Sequence, residues 1–233
     1  MATLDSFIRS KALNQIPQKK LEIMMSSIEN LDIKQKSLLT TAYNRYYESN
    51  LPIEYWDLKM ESDFVGEKIL MEYYLNYVND LKNNYIKGKS LCFCGPHGVG
   101  KTFCSISILK KAIQKGYQCL YTSLSDATNV LIQSSSEEKY AARKELTMVD
   151  FLFLDEFDPR FIATNLGADL YARTLETIFR VRAQNKLPTL FATNSPNVLE
   201  SFNGPLKNSI DSLFKGYVEE VVVFGNDFRK KDK

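Results

Sequence analysis

The stretch "CFCGPHGVGKTFC", Cys92 to Cys104, holds Gly95, Gly98 and Gly100 within six positions of one another, although only ten glycines occur in the 233-residue chain. A backbone so stripped of side chains is asked to take turns that other residues resist. Gly95-Pro96-His97-Gly98-Val99-Gly100-Lys101-Thr102 fits the spacing G-x-x-x-x-G-K-[ST], in which backbone N–H groups turn inward around a phosphate. The expected binding stretch runs from Gly95 through Phe103. Within it Lys101 reaches the β- and γ-oxygens of ATP, Thr102 offers its hydroxyl to Mg²⁺, and the N-terminus of the following helix adds its positive end. The alternative is a glycine-rich turn without a ligand. Its surroundings argue against that, because the apolar run "SLCFC" precedes the loop as a strand and "KTFCSISILKKAIQK" follows it as a helix, the order this loop requires.

Outward from the loop the same alternation continues. "YQCLYTS", "VDFLFL", "PTLFATN" and "VEEVVVF" read as further short apolar strands, separated by helical stretches such as "EEKYAARKEL", "GADLYARTLETIFRVRAQ" and "GPLKNSIDSLFKG". Strands alternating with helices predict an α/β fold, a doubly wound and mostly parallel sheet. Ahead of the loop, "LMEYYLNYVNDLKNNYIKG" reads as an amphipathic helix closed by Gly88. Residues 1–50 read as two or three short polar helices, with Leu21, Met24, Met25 and Ile28 at helical spacing and Pro17 as a break. They form a separate N-terminal helical module, with the core over 51–233.

A phosphate loop needs an acidic partner, and "VDFLFLDEFD" supplies one at the end of a buried strand. Asp155 would hold Mg²⁺ through water and Glu156 would polarise an attacking water. Two exposed carboxylates ending a strand are the plain alternative. A base beside the metal carboxylate suits water as nucleophile, which favours an ATPase over a kinase. The next strand, "PTLFATN", ends in Thr193 and Asn194, polar groups that often only form a turn.

The order of these pieces resembles the AAA+ ATPases of the DnaC and DnaI helicase-loader group and the related IstB transposition helpers, from about Leu51 to Phe228. The resemblance implies a sensor role for Asn194 beside the γ-phosphate. It implies a P-loop AAA+ core without a lid, as only nine residues follow Phe224. It further implies an N-terminal module that binds a replicative helicase, and cores that self-associate and grip single-stranded DNA. "LPIEYWDLKM" is similar to the stretch before the core in that group, so Tyr55 or Trp56 would lie near the adenine, with core packing as the alternative for both. Lys139, Arg143 and Lys144 fall where the group carries a DNA-facing helix, though a charge run on a helix is commonly a solvated face. Arg229, Lys230 and Lys231 form a basic tail of undecided role. One departure stands out. No arginine occurs between Arg182 and Arg229, so the finger expected near "IDSLFKG" is missing, and Lys207 or Lys215 would replace it poorly.

Composition sets the outer bounds. With 44% hydrophobic and 25% charged residues the chain is an ordinary globular protein. A balance of 30 Lys and Arg against 28 Asp and Glu requires any nucleic-acid contact to come from a local patch. Cys92, Cys94, Cys104 and Cys119 fall in or beside buried elements as small apolar residues, and no signal peptide or membrane span is evident, so the expectation is a cytoplasmic protein. The resulting expectation is an ATP-dependent helicase loader of DNA replication, with ATP binding and slow hydrolysis as its switch. The rivals are a transposition helper, a nonhydrolysing ATP-gated adaptor and a P-loop metabolite kinase, which would need a clamping lid and an acceptor pocket.

Overall fold

The computed structural model describes residues 32–158, 168–196 and 204–229. The helices expected around Pro17, Leu21, Met24, Met25 and Ile28, and the tail lysines Lys230 and Lys231, lie outside the described residues. The elements run in chain order as α1 (Ile33–Glu48), α2 (Met60–Asp63), α3 (Lys68–Asn79), α4 (Leu81–Lys87), β1 (Ser90–Cys94), α5 (Lys101–Gln114), β2 (Cys119–Ser123), α6 (Leu124–Gln133), α7 (Ser136–Met148), β3 (Phe151–Asp155), α8 (Ala168–Gln184), β4 (Thr189–Thr193), α9 (Gly204–Tyr217) and β5 (Val218–Val222). The five strands pair in the order β2-β3-β4-β1-β5. Among the described residues every pairing is parallel.

Alternation along the strands builds two cores. Leu91, Phe93, Phe151, Phe153, Leu190 and Ala192 face one way, into a cluster with residues of α1, α3 and α5. Their neighbours Cys92, Cys94, Leu152, Leu154 and Phe191 face the other way, towards α6, α7, α8 and α9. A two-residue period thus feeds both layers. Each fully buried phenylalanine contributes roughly 1.5–3 kcal/mol of transfer free energy. All four cysteines are free and buried within these layers.

Two details differ from the sequence reading. The helix expected ahead of β1 is two helices, broken at Asp80, whose φ of -114° and ψ of 28° leave the helical basin. It does close at Gly88, in the left-handed conformation, with Gly88 N donating to Tyr85 O and Lys89 N to Asn84 O, the two bonds of a Schellman closure. The second concerns the boundary at residue 50. Asp32 starts α1 with a capping box on Gln35, and Tyr43 and Tyr46 then pack on Trp56 with ring centroids 5.3 and 6.2 Å away. Beyond α1, Tyr121 N donates to Ser49 O at 2.9 Å and Asn50 Nδ2 to Tyr121 O at 3.0 Å. Residues 33–50 therefore complete the core and cover the free edge of β2.

Arg182, on α8, is the largest fully buried side chain among the described residues. Its guanidinium donates to Leu146 O, Val149 O, Pro188 O and the Thr189 hydroxyl at 2.7–3.1 Å. This ties the end of α7 to the starts of β3 and β4. Among the described residues no helix is long and apolar enough to cross a membrane.

Candidate functional site

Parallel strands bring the loops that follow β1, β3 and β4 to one edge of the sheet, and a cavity of about 340 Å³ opens there. The loop after β1 wraps its floor. Gly98, at φ 77°, lies so close to Asp227 that an added Cβ would sit 1.7 Å from its Oδ1. A side chain at that position would both strain the backbone and collide. Gly95, Pro96, His97, Gly98, Val99 and Gly100 then lead directly into α5, whose first three residues are Lys101, Thr102 and Phe103.

Lys101 is buried, and its ammonium donates to Gly95 O at 2.8 Å, Pro96 O at 2.6 Å and Asn194 Oδ1 at 3.1 Å. Burial pulls its pKa down to about 8, with nearby Asp155 opposing the shift. The Thr102 hydroxyl donates to Asp155 Oδ1 at 3.3 Å. Asp155 ends β3, is itself buried, and takes a further hydrogen bond from Glu156 N at 2.9 Å. Burial raises its pKa, against the hydrogen bonds it accepts. Glu156 is exposed and held at φ 50°, a left-handed conformation that costs a residue with a side chain roughly 1–3 kcal/mol. Phe157 N, bonded to Ala192 O at 2.8 Å, anchors that turn to β4. The cavity wall thus gathers His97, Lys101, Thr102, Asp155, Glu156 and Asn194.

Two wall residues, Tyr55 and Arg229, and one residue behind the wall, Tyr121, escaped the sequence reading or were left open by it. Tyr55 lines the cavity, whereas Trp56 is buried and donates its indole N–H to Leu51 O at 2.9 Å. Tyr121 sends its hydroxyl to Asp155 Oδ2 at 3.4 Å. Its strand position pairs with Phe153, one pleat before Asp155 on the same face, so strand alternation carried that signal. Arg229, assigned in sequence only to a basic tail, lines the cavity because the segment after β5 folds back. Phe228 N donates to Gly98 O at 3.2 Å, and Arg229 Nε donates to Asp227 Oδ1 at 3.1 Å. No local pattern announces such a return.

Other expected residues lie elsewhere. Lys139, Arg143 and Lys144 sit on α7 and do not line this cavity; Arg143 and Lys144 are exposed and Lys139 is half-buried. The same helix carries Glu137, Glu138 and Glu145, so its charge is mixed. Lys207 and Lys215 are on α9, where Lys215 Nζ donates to Asp211 Oδ2 at 2.6 Å.

The family model described as IstB-like ATP binding protein matches residues 10–172 of the chain. A Lon protease from Chlamydia muridarum is 24% identical over 253 residues, covering 93% of this chain and 30% of that protein. The chain thus spans under a third of the curated relative it matches. Among solved structures, DnaI is similar at TM-score 0.59 and 17% identity, over 77% of this chain and 94% of that one. The DnaC helicase loader is similar at TM-score 0.55 and 19% identity, over 73% and 99%. The replication initiator DnaA, bound to AMPPCP and single-stranded DNA, gives TM-score 0.57 and 22% identity over 73% of this chain and 50% of its own length. At these identities the likeness is one of fold, the P-loop AAA+ arrangement.

Proposed function

The chain belongs to the IstB-like ATP-binding family, and from that premise we propose that it is an AAA+ ATPase that loads a replicative helicase onto DNA, switched by ATP binding and slow hydrolysis. The observation that carries the chemistry is the Lys101 ammonium, buried at the loop with two carbonyls and the Asn194 amide as its acceptors. A triphosphate entering the cavity would take over that ammonium, while the N–H groups of the loop and the start of α5 face its oxygens.

Thr102 and Asp155 would hold Mg²⁺: a hydroxyl and a carboxylate 3.3 Å apart are the hard oxygen donors it prefers. When bound, the ion would neutralise charge on the β- and γ-phosphates. Asn194, bridging Lys101 to the end of β4, would sense the γ-phosphate. Glu156 would orient a water for attack and accept its proton. Arg229 would supply a guanidinium from the same chain, which offsets the missing trans arginine and fits slow turnover independent of neighbours.

The loader reading draws on the named DnaC helicase loader and on the N-terminal residues as a partner-binding module. We assign that module to residues ahead of α1, since 33–50 belong to the packed core. Lys139, Arg143 and Lys144 are proposed to meet the phosphates of single-stranded DNA, with self-association of the cores along the strand. The family match equally supports a transposition helper, and the partner separates the two. The test is co-purification of the full chain with a replicative helicase in Mg-ATP and without nucleotide. ATP-dependent retention is expected; retention of a transposase in place of the helicase would move the protein to the second reading.

A further inference from the structure

Lys110 is buried on α5 and takes no part in the chemistry above, yet it is a charged group held inside the core. Its three N–H groups have three partners, donating to Tyr55 O at 2.7 Å, Trp56 O at 2.8 Å and Leu58 O at 2.5 Å. An ammonium has three donors, so the set is saturated. The Tyr46 ring lies 5.4 Å from the nitrogen and adds a cation–π contact. Burial pulls the Lys110 pKa down to about 8. A desolvated charge of this kind persists when its partners need it. The partners here are carbonyls of a segment whose only regular element is the single 3₁₀ turn Ile53–Tyr55.

The other side of that segment is the cavity. Tyr55 presents its ring there, edge-on to Phe103 at 5.8 Å and 81°. Phe103 in turn packs against Phe64 at 5.5 Å, and Val65 completes this end of the wall. The cavity wall is therefore charged at Lys101, Asp155 and Arg229 and aromatic at Tyr55 and Phe103, with the Tyr55 hydroxyl in electrostatic reach of Asp155 and Arg229. Lys101 and Lys110 stand on one helix, the first lining the cavity and the second bonded to the backbone of the segment that carries Tyr55. We propose that Lys110 is a positioning residue for the base of the bound nucleotide: by gathering the carbonyls of Tyr55, Trp56 and Leu58 it fixes the Tyr55 ring as the surface on which a purine rests. This rests on the nucleotide reading of the cavity and adds to it how the base end is held.

The experiment is calorimetric titration of the full chain and of Lys110→Met with Mg-ATP and, separately, with inorganic tripolyphosphate, which lacks a base. Stacking of a base on an aromatic ring is worth enough to change affinity by about ten-fold or more. Lys110→Met is expected to lose about ten-fold in ATP affinity while tripolyphosphate binds as to the parent. Tyr55→Ala is expected to give the same split. Equal losses for both ligands would make Lys110 a merely structural residue and overturn the assignment, as would unchanged ATP affinity. If Lys110→Met does not fold, hydrogen exchange on the parent decides: ATP should protect the amides of residues 55–58 more than tripolyphosphate does, and equal protection overturns the proposal. A parent that binds neither ligand would instead sink the nucleotide reading itself and this inference with it.

Discussion

The Lys101 ammonium and the Asn194 side-chain oxygen, 93 residues apart in sequence, meet at 3.1 Å across the gap between β1 and β4. One belongs to the loop that would bind phosphate and the other to a strand end that shares the cavity with Asp155 and Glu156, so on the proposed reading the pair would couple binding to turnover. Lys101→Ala should weaken ATP binding by on the order of 10–100-fold, the worth of charge-assisted hydrogen bonds. Asn194→Ala should bind ATP within a few-fold of the parent and hydrolyse it more slowly. Calorimetry and a phosphate-release assay separate the two; equal losses of binding in both variants would remove the division of labour.

Glu156 stands outside the hydrogen-bond set of Lys101, exposed at the cavity rim. Glu156→Gln should therefore leave ATP affinity nearly intact while lowering turnover about 10²–10⁴-fold, the usual weight of a positioned base. Turnover at the parent rate would show that another group activates the water.

Arg229 and Lys215 make opposite expectations. The first lines the cavity and the second is paired with Asp211 on α9. Arg229→Ala should slow hydrolysis at least ten-fold, below the 10³–10⁵ of a fully engaged finger because its guanidinium is largely exposed. Lys215→Ala should change it by less than a few-fold, and specific activity should stay flat as protein concentration rises. A steep rise on self-assembly, lost in Lys215→Ala, would assign the stimulating charge to the neighbour.

Arg182→Met should destabilise the fold by roughly 3–5 kcal/mol, because several buried carbonyls lose their donor at once. Urea unfolding measures this directly. ATP affinity of the folded fraction should match the parent, since Arg182 lies among the starts of β3 and β4, at the opposite end of the strands from the cavity.

Truncation tests the N-terminal assignment. Deleting residues 1–31 should leave ATP binding intact and abolish helicase association. Deleting 1–50 should also lower stability, because it strips Tyr43 and Tyr46 from Trp56 and uncovers the edge of β2. Helicase association that survives the shorter deletion would place the partner surface on the core.

The glycine spacing from Gly95 to Gly100, followed by Lys101 and Thr102, marked the phosphate loop, and apolar runs marked all five strands within a few residues. Such features are written in contiguous residues, because a strand's two-residue period and a loop's need for glycine depend on local backbone geometry. Asp155, Glu156 and Asn194 were legible for a related reason: parallel strands joined by crossovers must deliver their ends to one edge. The docking of α1 and the choice of Tyr55 over Trp56 were not legible, since each is decided by which side chains pack between segments distant in sequence. Arg229 marks the limit most clearly. Its place in the cavity follows from a tail that turns back onto Gly98, a contact between segments distant in sequence. Whether such a contact forms depends on the shape and free backbone groups of the surface it meets, and those exist only once the sheet is assembled.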